Sequence, residues 1–282
     1  FNGVAIFIFG FAVAATMGKG LVNPAIVDIH VVFGALIGAI FWNTVTWYYG
    51  IPSSSSHALA GGIVGAAVTK AGASAVISSG LIKLVIFIFV SHFLGFVIGS
   101  LLMVVMAWIF RKTTPSKVDR VFRRLQLLSA AAFSLGHGGN DAQKTIGIIW
   151  MLLIATGYSA AGDKSPPLWV AISAYSSIGL GTMFGVWRIV KTMGQKITKL
   201  KPYGGFCAEG AGAITLFLNT FMGVPVSTTH TITGAIVGVG SVQRASAVRW
   251  GVAANIVWAW VFTIPASAFV AAIAYSVSLY FV

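Results

Sequence analysis

Two short segments of this chain place a row of hydroxyl side chains directly after a proline. Residues 50–57 read GIPSSSSH, and residues 223–230 read GVPVSTTH. Proline, serine and threonine are typical of a helix start, where free backbone N–H groups and the positive end of the helix dipole attract anions. Ordinary capping would explain one such segment, but two favour a ligand site. The pattern therefore predicts that a tetrahedral oxyanion is bound by Ser54, Ser55, Ser56, Ser227, Thr228 and Thr229.

The two segments belong to a longer internal repeat. Residues 50–65 and 223–238 align at an offset of 173 residues, with eight identical residues in sixteen. Each hydroxyl row is followed by a Gly-rich apolar stretch that is too short to cross a bilayer, which predicts two re-entrant helical hairpins. Two hairpins that enter from opposite leaflets would meet near the midplane with both helix starts directed at one ligand.

A third motif, GHGGNDAQK at residues 136–144, puts ionisable groups inside an otherwise apolar stretch. Such groups are costly at membrane depth and are therefore functional candidates. We expect the glycines to unwind the chain here, so that carbonyls and the oxygens of Asn140 and Asp141 hold a small coupling cation; Asp141 could equally accept a proton. Lys144 could pair with Asp141 or touch the anion, and a structural ion pair is the alternative. The predicted substrate-binding residues of this motif are Asn140, Asp141, Gln143 and Lys144.

His57 and His230 follow the two hydroxyl rows at equivalent positions. Because histidine titrates near neutral pH, they could tune a pH dependence, or they could simply hydrogen-bond within their hairpins. The histidines lack the spacing of metal ligands and Cys207 is the only cysteine, so we assign no metal site and expect no enzyme cofactor. Glu209, the only glutamate, could belong to the site or to the surface.

The composition requires a membrane around these motifs. Of 282 residues, 57% are apolar and 8% are charged, whereas about a quarter are charged in a soluble domain. The sequence therefore predicts an all-α integral membrane protein. Its apolar runs at 76–110 and 248–282 exceed one straight crossing, so we expect tilt or a break in the first, which contains Gly95 and Gly99, and a break or bend at Pro265 in the second.

The net charge of +13 comes from basic residues gathered in short segments between apolar runs. This is the orientation signal of a membrane protein, and no aromatic-interleaved groove for nucleic acid is visible. We place all the basic clusters on the cytoplasmic side. The largest predicts a basic cytoplasmic connector loop at residues 111–124.

The repeat and the charge pattern together predict the domain organisation. The basic segment 188–201 corresponds at the same offset to 15–28, which holds only Lys19 and Asp28, as expected of two repeats with inverted topology. We predict a first repeat over 1–110 and a second over 125–282. The counterpart of the Asn140–Asp141 motif would precede Phe1, so the first repeat is expected to be incomplete at its N-terminus. Gly-rich helix faces would permit a homodimer.

In these motifs the chain resembles the inorganic phosphate transporter family, often called PiT. The likeness rests on GIPSSSSH, on GVPVSTTH and on GHGGNDAQKTIG at 136–147. The resemblance implies a secondary active symporter with inverted repeats that couples inorganic phosphate to protons or sodium. It implies that the hydroxyls at 54–56 and 227–229 help to bind phosphate, and that Asn140 and Asp141 help to bind phosphate or the cation.

The resemblance also has implications for the coupling cation and for the membrane in which the protein lies. Some bacterial members move a neutral metal–phosphate complex, so a divalent metal could be co-transported. The pair Gln143–Lys144 is similar to the bacterial branch, which favours proton coupling and a bacterial plasma (inner) membrane. The family carries two Asn-Asp signatures, and this chain contains only the second.

Three other functions compete with phosphate symport. A carrier of another oxyanion such as sulfate would use the same hydroxyls, although protonated phosphate also needs an acceptor such as Asp141. A passive anion channel could also be built from broken helices. An intramembrane serine hydrolase would pair Ser56 with His230, but duplication of the motif argues against a single nucleophile, so we expect no enzyme.

Overall fold

The computed structural model describes residues 1–160, 162–184 and 187–281, apart from the side chain of Lys19. The regular structure of these ranges is helical, with one isolated antiparallel bridge between Val22 and Val76. The α-helices are α1 (Ala12–Gly20), α2 (Ile29–Tyr49), α3 (Ser55–Ala71), α4 (Ser78–Ile109), α5 (Pro115–Ala155), α6 (Leu168–Met183), α7 (Trp187–Lys191), α8 (Pro202–Phe221), α9 (Thr228–Gln243) and α10 (Trp250–Ser278). A π-helix at Thr192–Ile197 follows α7. The structure also contains four short 3-10 helices, at Gly3–Phe7, Pro24–Ile26, Ala73–Ala75 and Ala245–Ala247.

Three of the described helices, α2, α4 and α10, are long and apolar enough to cross a membrane. The segment Trp187–Ile197 and α6 meet the same test as a pair, with a bend of 64° between them. Large apolar side chains point outward from these helices, among them Phe89, which is 71% exposed, and Trp258, which is 61% exposed. An outward apolar surface is stable only in lipid, so the predicted all-α membrane fold is confirmed in its helical content and apolar spans.

The internal repeat is visible in the helices. At the offset of 173 residues, the starts of α2 and α3 coincide with those of α8 and α9, and the start of α4 lies within one residue of that of α10. The turns into the hydroxyl rows also correspond, because Gly50 and Gly223 both have left-handed backbone, with φ of 66° and 67°. That conformation favours glycine, which explains why both positions carry it.

The two sets of helices exchange packing partners. The short helix α3 packs against α10, and α9 packs against α4. The contacts are made by glycines: a Cβ on Gly65 would lie 2.3 Å from the Ala268 carbonyl oxygen, and one on Gly234 would lie 2.1 Å from that of His92. Close backbone approach at small residues is the usual packing of membrane helices. Each short helix is therefore held by a long helix of the other repeat.

The turns of the two hairpins are braced in the same exchanged way. The Thr16 hydroxyl on α1 donates to the carbonyl oxygen of Gly223 at 2.8 Å. The Thr192 hydroxyl in the π-helix after α7 donates to the carbonyl oxygen of Gly50 at 3.0 Å. The starts of α3 and α9 are thus fixed relative to both halves of the chain.

The prediction of a basic loop at 111–124 is wrong for most of its length. Helix α5 begins at Pro115, a residue that suits the first turn because its missing N–H has no partner there in any case. The basic residues from Lys117 onward therefore project from α5, and Arg123 pairs with Asp119 one turn earlier at 2.7 Å. Only residues 110–114 separate α4 from α5.

The expected unwinding at 136–144 is also wrong, because α5 is continuous through the motif. Its glycines serve close packing instead: a Cβ on Gly138 would lie 2.3 Å from the Asn2 carbonyl oxygen, and one on Gly139 would lie 2.3 Å from the Phe9 ring. Carbonyls inside a continuous helix accept their own helix bonds, so they do not form the cation shell that unwinding would have exposed.

Helices α4 and α10 are single helices of 32 and 29 residues, so a break occurs in neither, and of the expected alternatives tilt is left for the first and a bend for the second. Pro265 lies inside α10 without ending it. Helices longer than the hydrocarbon layer are accommodated by tilting, and a proline is tolerated in a membrane helix where local contacts compensate for the lost helix bond. The Ser267 hydroxyl donates to the Thr263 carbonyl oxygen at 2.8 Å, within one turn of Pro265.

Candidate functional site

Each hydroxyl row begins with a buried serine that caps its helix. Ser54 Oγ accepts a hydrogen bond from the backbone N–H of His57 at 3.3 Å, and Ser227 Oγ accepts one from that of His230 at 3.3 Å. Both serines have extended backbone immediately before α3 and α9. The first-turn N–H groups that follow have no partner within a helix, so a ligand would meet them and their side chains.

The two helix starts face each other through a reciprocal pair of hydrogen bonds. The Ser56 hydroxyl donates to the Val226 carbonyl oxygen at 3.4 Å, and the Thr229 hydroxyl donates to the Ser53 carbonyl oxygen at 3.0 Å. Ser56 and Thr229 are equivalent in the repeat, as are Ser53 and Val226. The structure therefore brings the two hydroxyl rows together at one place.

Asn140 on α5 fixes the extended stretch that leads into α9. Its side-chain amide donates to the Val224 carbonyl oxygen at 3.2 Å and to the Thr220 hydroxyl at 3.0 Å. Its side-chain oxygen accepts from the Val226 N–H at 3.2 Å. The side chain is completely buried, so its polar atoms hold the second hairpin in place next to the hydroxyl rows.

Lys144 lies between the two hairpins with its ammonium group enclosed. Its Nζ donates to Asp141 Oδ1 at 2.5 Å, to Ser56 Oγ at 2.6 Å and to the Val226 carbonyl oxygen at 2.5 Å. The residue is only 1% exposed. One positive charge is therefore buried at the contact of α5 with both hydroxyl rows.

Asp141 balances this charge and reaches the second hydroxyl row. Its Oδ2 accepts from the Thr228 hydroxyl at 3.0 Å, and His137 Nε2 lies 3.3 Å from the same oxygen. The carboxylate is 10% exposed and makes an ion pair with Lys144 one turn along α5. Both oxygens thus contact donors that belong to the protein.

The side chain of Gln143 is directed to the start of α1 and not to the hydroxyl rows. Its side-chain oxygen accepts from the backbone N–H groups of Val13 and Ala14 at 3.0 and 3.2 Å, and its amide donates to the Gly139 carbonyl oxygen at 2.8 Å. Phe11, which precedes α1, makes no side-chain capping bond. Gln143 therefore caps α1 from the neighbouring helix, and these contacts direct it away from the hydroxyl rows that we expected it to join.

His57 and His230 are buried side by side at equivalent positions. Their ring centroids are 4.7 Å apart, and the His230 ring packs against Trp260 at 3.6 Å. Nδ1 of His230 lies 2.5 Å from Ser227 Oγ. Among the described residues, no group of three His, Cys, Asp or Glu side chains could hold a metal ion.

A cavity of about 540 Å³ leads from the second hydroxyl row to the protein surface. The buried Thr228 and the half-buried Thr229 lie at its inner end, and exposed lysines lie at its outer end. A positive entrance with hydroxyls behind it would draw an anion inward. The polar residues that line it include Thr228, Thr229, His137, Glu209, Lys191 and Lys201.

Glu209 is in the wall of this cavity. Its carboxylate accepts from the Ser129 hydroxyl at 2.7 Å and from the Gln126 side-chain amide at 3.5 Å. Sequence reasoning left its place open and did not identify Gln126 or Ser129. Their signal was their spacing, because Gln126 and Ser129 lie eleven residues, or about three helical turns, before His137 and Asn140 and so share one face of α5 with them.

The predicted residues therefore separate into groups. The structure brings together the first-turn hydroxyls and the α5 ion pair: Ser56, Thr228, Thr229, Asp141 and Lys144. Ser54, Ser227 and Asn140 support the two helix starts, Ser55 is exposed at the start of α3, and Gln143 caps α1.

Comparison with known proteins decides what kind of protein has this arrangement. A family model described as the phosphate transporter family matches residues 1–271. The chain belongs to the phosphate transporter family. The family resemblance stated from the motifs is confirmed, and a member of this family is a transporter and not an enzyme. The contact between Ser227 Oγ and His230 Nδ1 accordingly belongs to the capped first turn of α9 and not to a catalytic pair.

Relatives of this phosphate transporter family member cover nearly its whole length. A protein of Rhizobium meliloti (strain 1021) described as a probable low-affinity inorganic phosphate transporter is 56% identical over 98% of this chain and 82% of its own length. A protein of Bacillus subtilis (strain 168) with the same description is 44% identical over 93% of this chain and 79% of its own. Both of these relatives are bacterial, and the chain is a membrane protein with apolar helical spans.

A solved structure described as the sodium-dependent phosphate transporter has the same fold. It superposes with a TM-score of 0.90, covering 100% of this chain and 88% of that one. The two sequences are 23% identical, so the likeness establishes the fold.

Proposed function

We propose that this chain is a secondary active symporter that carries inorganic phosphate with a cation across a bacterial plasma membrane. The observation that carries the proposal is the meeting of two capped helix starts around the Asp141–Lys144 pair. Family membership and the names of the bacterial relatives support phosphate as the substrate.

The site offers phosphate both kinds of hydrogen bond that it requires. First-turn N–H groups and the hydroxyls of Ser56, Thr228 and Thr229 are donors for its oxygens, and two helix dipoles favour its negative charge. Singly protonated phosphate also has an O–H group, for which the Asp141 carboxylate is the acceptor. Sulfate at neutral pH has no such proton, so the carboxylate supports a preference for phosphate.

Transport requires the site to open to each side in turn. Repeats over 1–110 and 125–282, joined by the basic segment 111–124, would supply this if they are inserted with opposite orientation. The exchanged packing of α3 with α10 and of α9 with α4 supports such a movement, because each hairpin helix would follow a long helix of the other repeat. The cavity beside Thr228 and Thr229 is then the path on one side.

The coupling cation is a proton or sodium in this proposal. The solved relative is described as sodium-dependent, which supports sodium.

The test is uptake of labelled phosphate by the full chain in liposomes. A sodium gradient and a proton gradient are imposed separately, with excess sulfate as competitor. Uptake that either gradient drives above equilibrium, and that resists sulfate, is the expected result. Flow that only equilibrates phosphate would indicate a channel, and full competition by sulfate would indicate a general oxyanion carrier.

The Asp141→Asn variant tests the role of the carboxylate in the same assay. We expect it to bind phosphate more weakly and to lose the preference for phosphate over sulfate, because the asparagine amide donates hydrogen bonds where a phosphate O–H needs an acceptor and sulfate does not. Equal loss of binding for both anions would contradict the assigned discrimination.

A further inference from the structure

The ammonium group of Lys144 occupies a place that is built like a cation site. Its three neighbours are a carboxylate oxygen of Asp141, the hydroxyl oxygen of Ser56 and the carbonyl oxygen of Val226, at 2.5, 2.6 and 2.5 Å. Carboxylate, hydroxyl and carbonyl oxygens are the kinds of ligand that hard metal cations take in proteins. The three oxygens come from α5, from the first hairpin and from the second, so a cation here joins all three.

We propose that Lys144 is a built-in substitute for a metal cation, so that phosphate transport by this chain needs no sodium ion at the contact of the two hairpins. The inference rests on the proposed phosphate symport with the proton as its coupling cation, and it names the residue that makes the site independent of metal cations. It differs from the sequence-based expectation that Lys144 touches phosphate.

The charge balance at the site requires a cation of some kind. The Asp141 carboxylate is 10% exposed and accepts from Thr228 in the first turn of α9, where the anion is expected. An unpaired carboxylate in that position would repel the incoming anion and would be costly to bury. His137 lies 3.3 Å from the other side of this carboxylate, but it carries a charge only when protonated. Lys144 supplies a positive charge without any ion from solution.

The ammonium also excludes a metal ion from the same place. Lys144 is 1% exposed, and its three N–H donors match the three oxygen neighbours. Shortening the side chain would leave the oxygens in place around an empty volume. A sodium ion could then enter and restore the lost charge, which makes the proposal testable by substitution.

Three variants of the full chain distinguish the effect of removing the charge, the effect of opening the volume and the effect of losing any lysine. Lys144→Ala removes the charge and opens the volume. Lys144→Met removes the charge but fills the volume with an uncharged chain. Lys83→Ala removes an exposed lysine from α4 that is not among the contacts of Lys144.

The first measurement is thermal unfolding of the purified proteins in detergent, with sodium chloride compared with choline chloride at equal concentration and pH. We expect sodium to raise the midpoint of Lys144→Ala and to leave that of the wild type, Lys144→Met and Lys83→Ala unchanged. The second is labelled phosphate uptake in liposomes, where sodium should accelerate Lys144→Ala by about tenfold, a usual size for coupling between two ligands. The wild-type rate should be the same in sodium and in choline.

A wild-type rate that depends on sodium would overturn the proposal, as would a folded Lys144→Ala that ignores sodium in both assays. If Lys144→Ala does not fold in choline, recovery of folded protein only when sodium is present throughout supports the inference. If neither Lys144→Ala nor Lys144→Ser folds in sodium or in choline, the result counts against the inference. Absence of any gradient-driven uptake by the wild type refutes the proposed function instead, and the unfolding assay still decides the cation site.

Discussion

The hydroxyl of Thr229 donates to the carbonyl oxygen of Ser53 at 3.0 Å, and its repeat equivalent Ser56 donates to Val226 at 3.4 Å. The contact between the two hairpins is therefore made by hydroxyls that an arriving anion would also engage. Binding of phosphate at the helix starts would replace these bonds by bonds to the ligand. Because the same hydroxyls join the hairpins and bind the anion, we expect the distance between the hairpins to depend on whether phosphate is bound.

The first prediction concerns Thr229→Val, which keeps the shape of the side chain and removes its hydroxyl. If this hydroxyl binds phosphate, its loss should raise the KM for uptake about fivefold, which is equivalent to one hydrogen bond of about 1 kcal/mol. The control is Thr69→Val, because the Thr69 hydroxyl is exposed and bonds only to the Gly65 carbonyl oxygen of its own helix. An unchanged KM in Thr229→Val would remove this residue from the anion site.

The second prediction concerns Asn140, which holds both the carbonyl oxygen of Val224 and the N–H of Val226. Asn140→Ala leaves these buried groups unpaired, which should destabilise the protein by about 1–3 kcal/mol. Asn140→Asp should be worse, since a carboxylate would face the Val224 carbonyl oxygen. Thermal unfolding in detergent measures both variants against Asn255→Ala, which alters an exposed position of α10. Equal stability of Asn140→Ala and Asn255→Ala would show that Asn140 does not fix the hairpin.

The third prediction separates two roles for Gln143. Because its side chain caps α1, Gln143→Leu should lower the free energy of unfolding by about 1–3 kcal/mol and leave the KM for phosphate unchanged. Gln243→Leu is the matched control, at an exposed position at the end of α9. A raised KM without loss of stability would instead restore the substrate-binding role that the sequence predicts.

The starts of α3 and α9 could be predicted from the sequence because their chemistry is local. A proline followed by serines or threonines encodes a capped helix start within four residues, and the caps at Ser54 and Ser227 have that form. The duplication of the segment also indicated that the two starts meet. By contrast, glycines at 136–139 predicted flexibility, but they provide close contact with Asn2 and Phe9, which a local pattern cannot reveal.

The partners of buried polar side chains could not be predicted from the sequence either, because they lie on elements that are distant along the chain. Lys144 had several open alternatives because its distances to Ser56 and Val226 depend on how three elements pack. The contact of Gln143 with α1 joins residues about 130 positions apart, and no motif marks it. The beginning of α5 was misplaced because a run of charges was interpreted as a loop, although charged residues are compatible with a helix that extends beyond the membrane.

The fourth prediction concerns Asp28, which caps α2 through the Val31 N–H at 2.8 Å and pairs with Lys70 at 2.6 Å. Partial burial opposes its ionisation, but the Lys70 ammonium and the Val31 N–H outweigh this and hold the pKa of Asp28 below its ordinary value. Its stabilisation is therefore present above the unfolded-state pKa of about 3.9 and is lost as the pH falls through the lower folded-state pKa.

Asp28→Asn keeps the cap and removes the ion pair, so it should cost at most about 1 kcal/mol at neutral pH. Unfolding of the wild type and the variant, followed from pH 7 downward, should converge once Asp28 of the wild type is protonated. Asp119→Asn provides the comparison, because it removes another exposed pair, with Arg123. A difference that stays constant through the acid range would assign the effect to something other than the charge of Asp28.

The fifth prediction concerns the exchanged packing of the short helices. A Cβ on Gly234 would lie 2.1 Å from the His92 carbonyl oxygen, and one on the equivalent Gly61 would lie 2.5 Å from that of Ile264. Backbone atoms cannot move aside as a flexible side chain can, so alanine at either position should force α9 from α4 or α3 from α10. We expect each variant to lose about 1–3 kcal/mol of stability, the usual cost of overpacking.

Gly251→Ala is the control for these two variants, since it is also helical and a Cβ there would meet no atom within 4 Å. It should be neutral or more stable by up to about 1 kcal/mol, because alanine favours the helix. Thermal unfolding in detergent and the yield of folded protein measure all three. If Gly234→Ala and Gly61→Ala were as stable as Gly251→Ala, the helices would not be in backbone contact, and the hairpins would be free to move independently of the long helices that we expect to carry them.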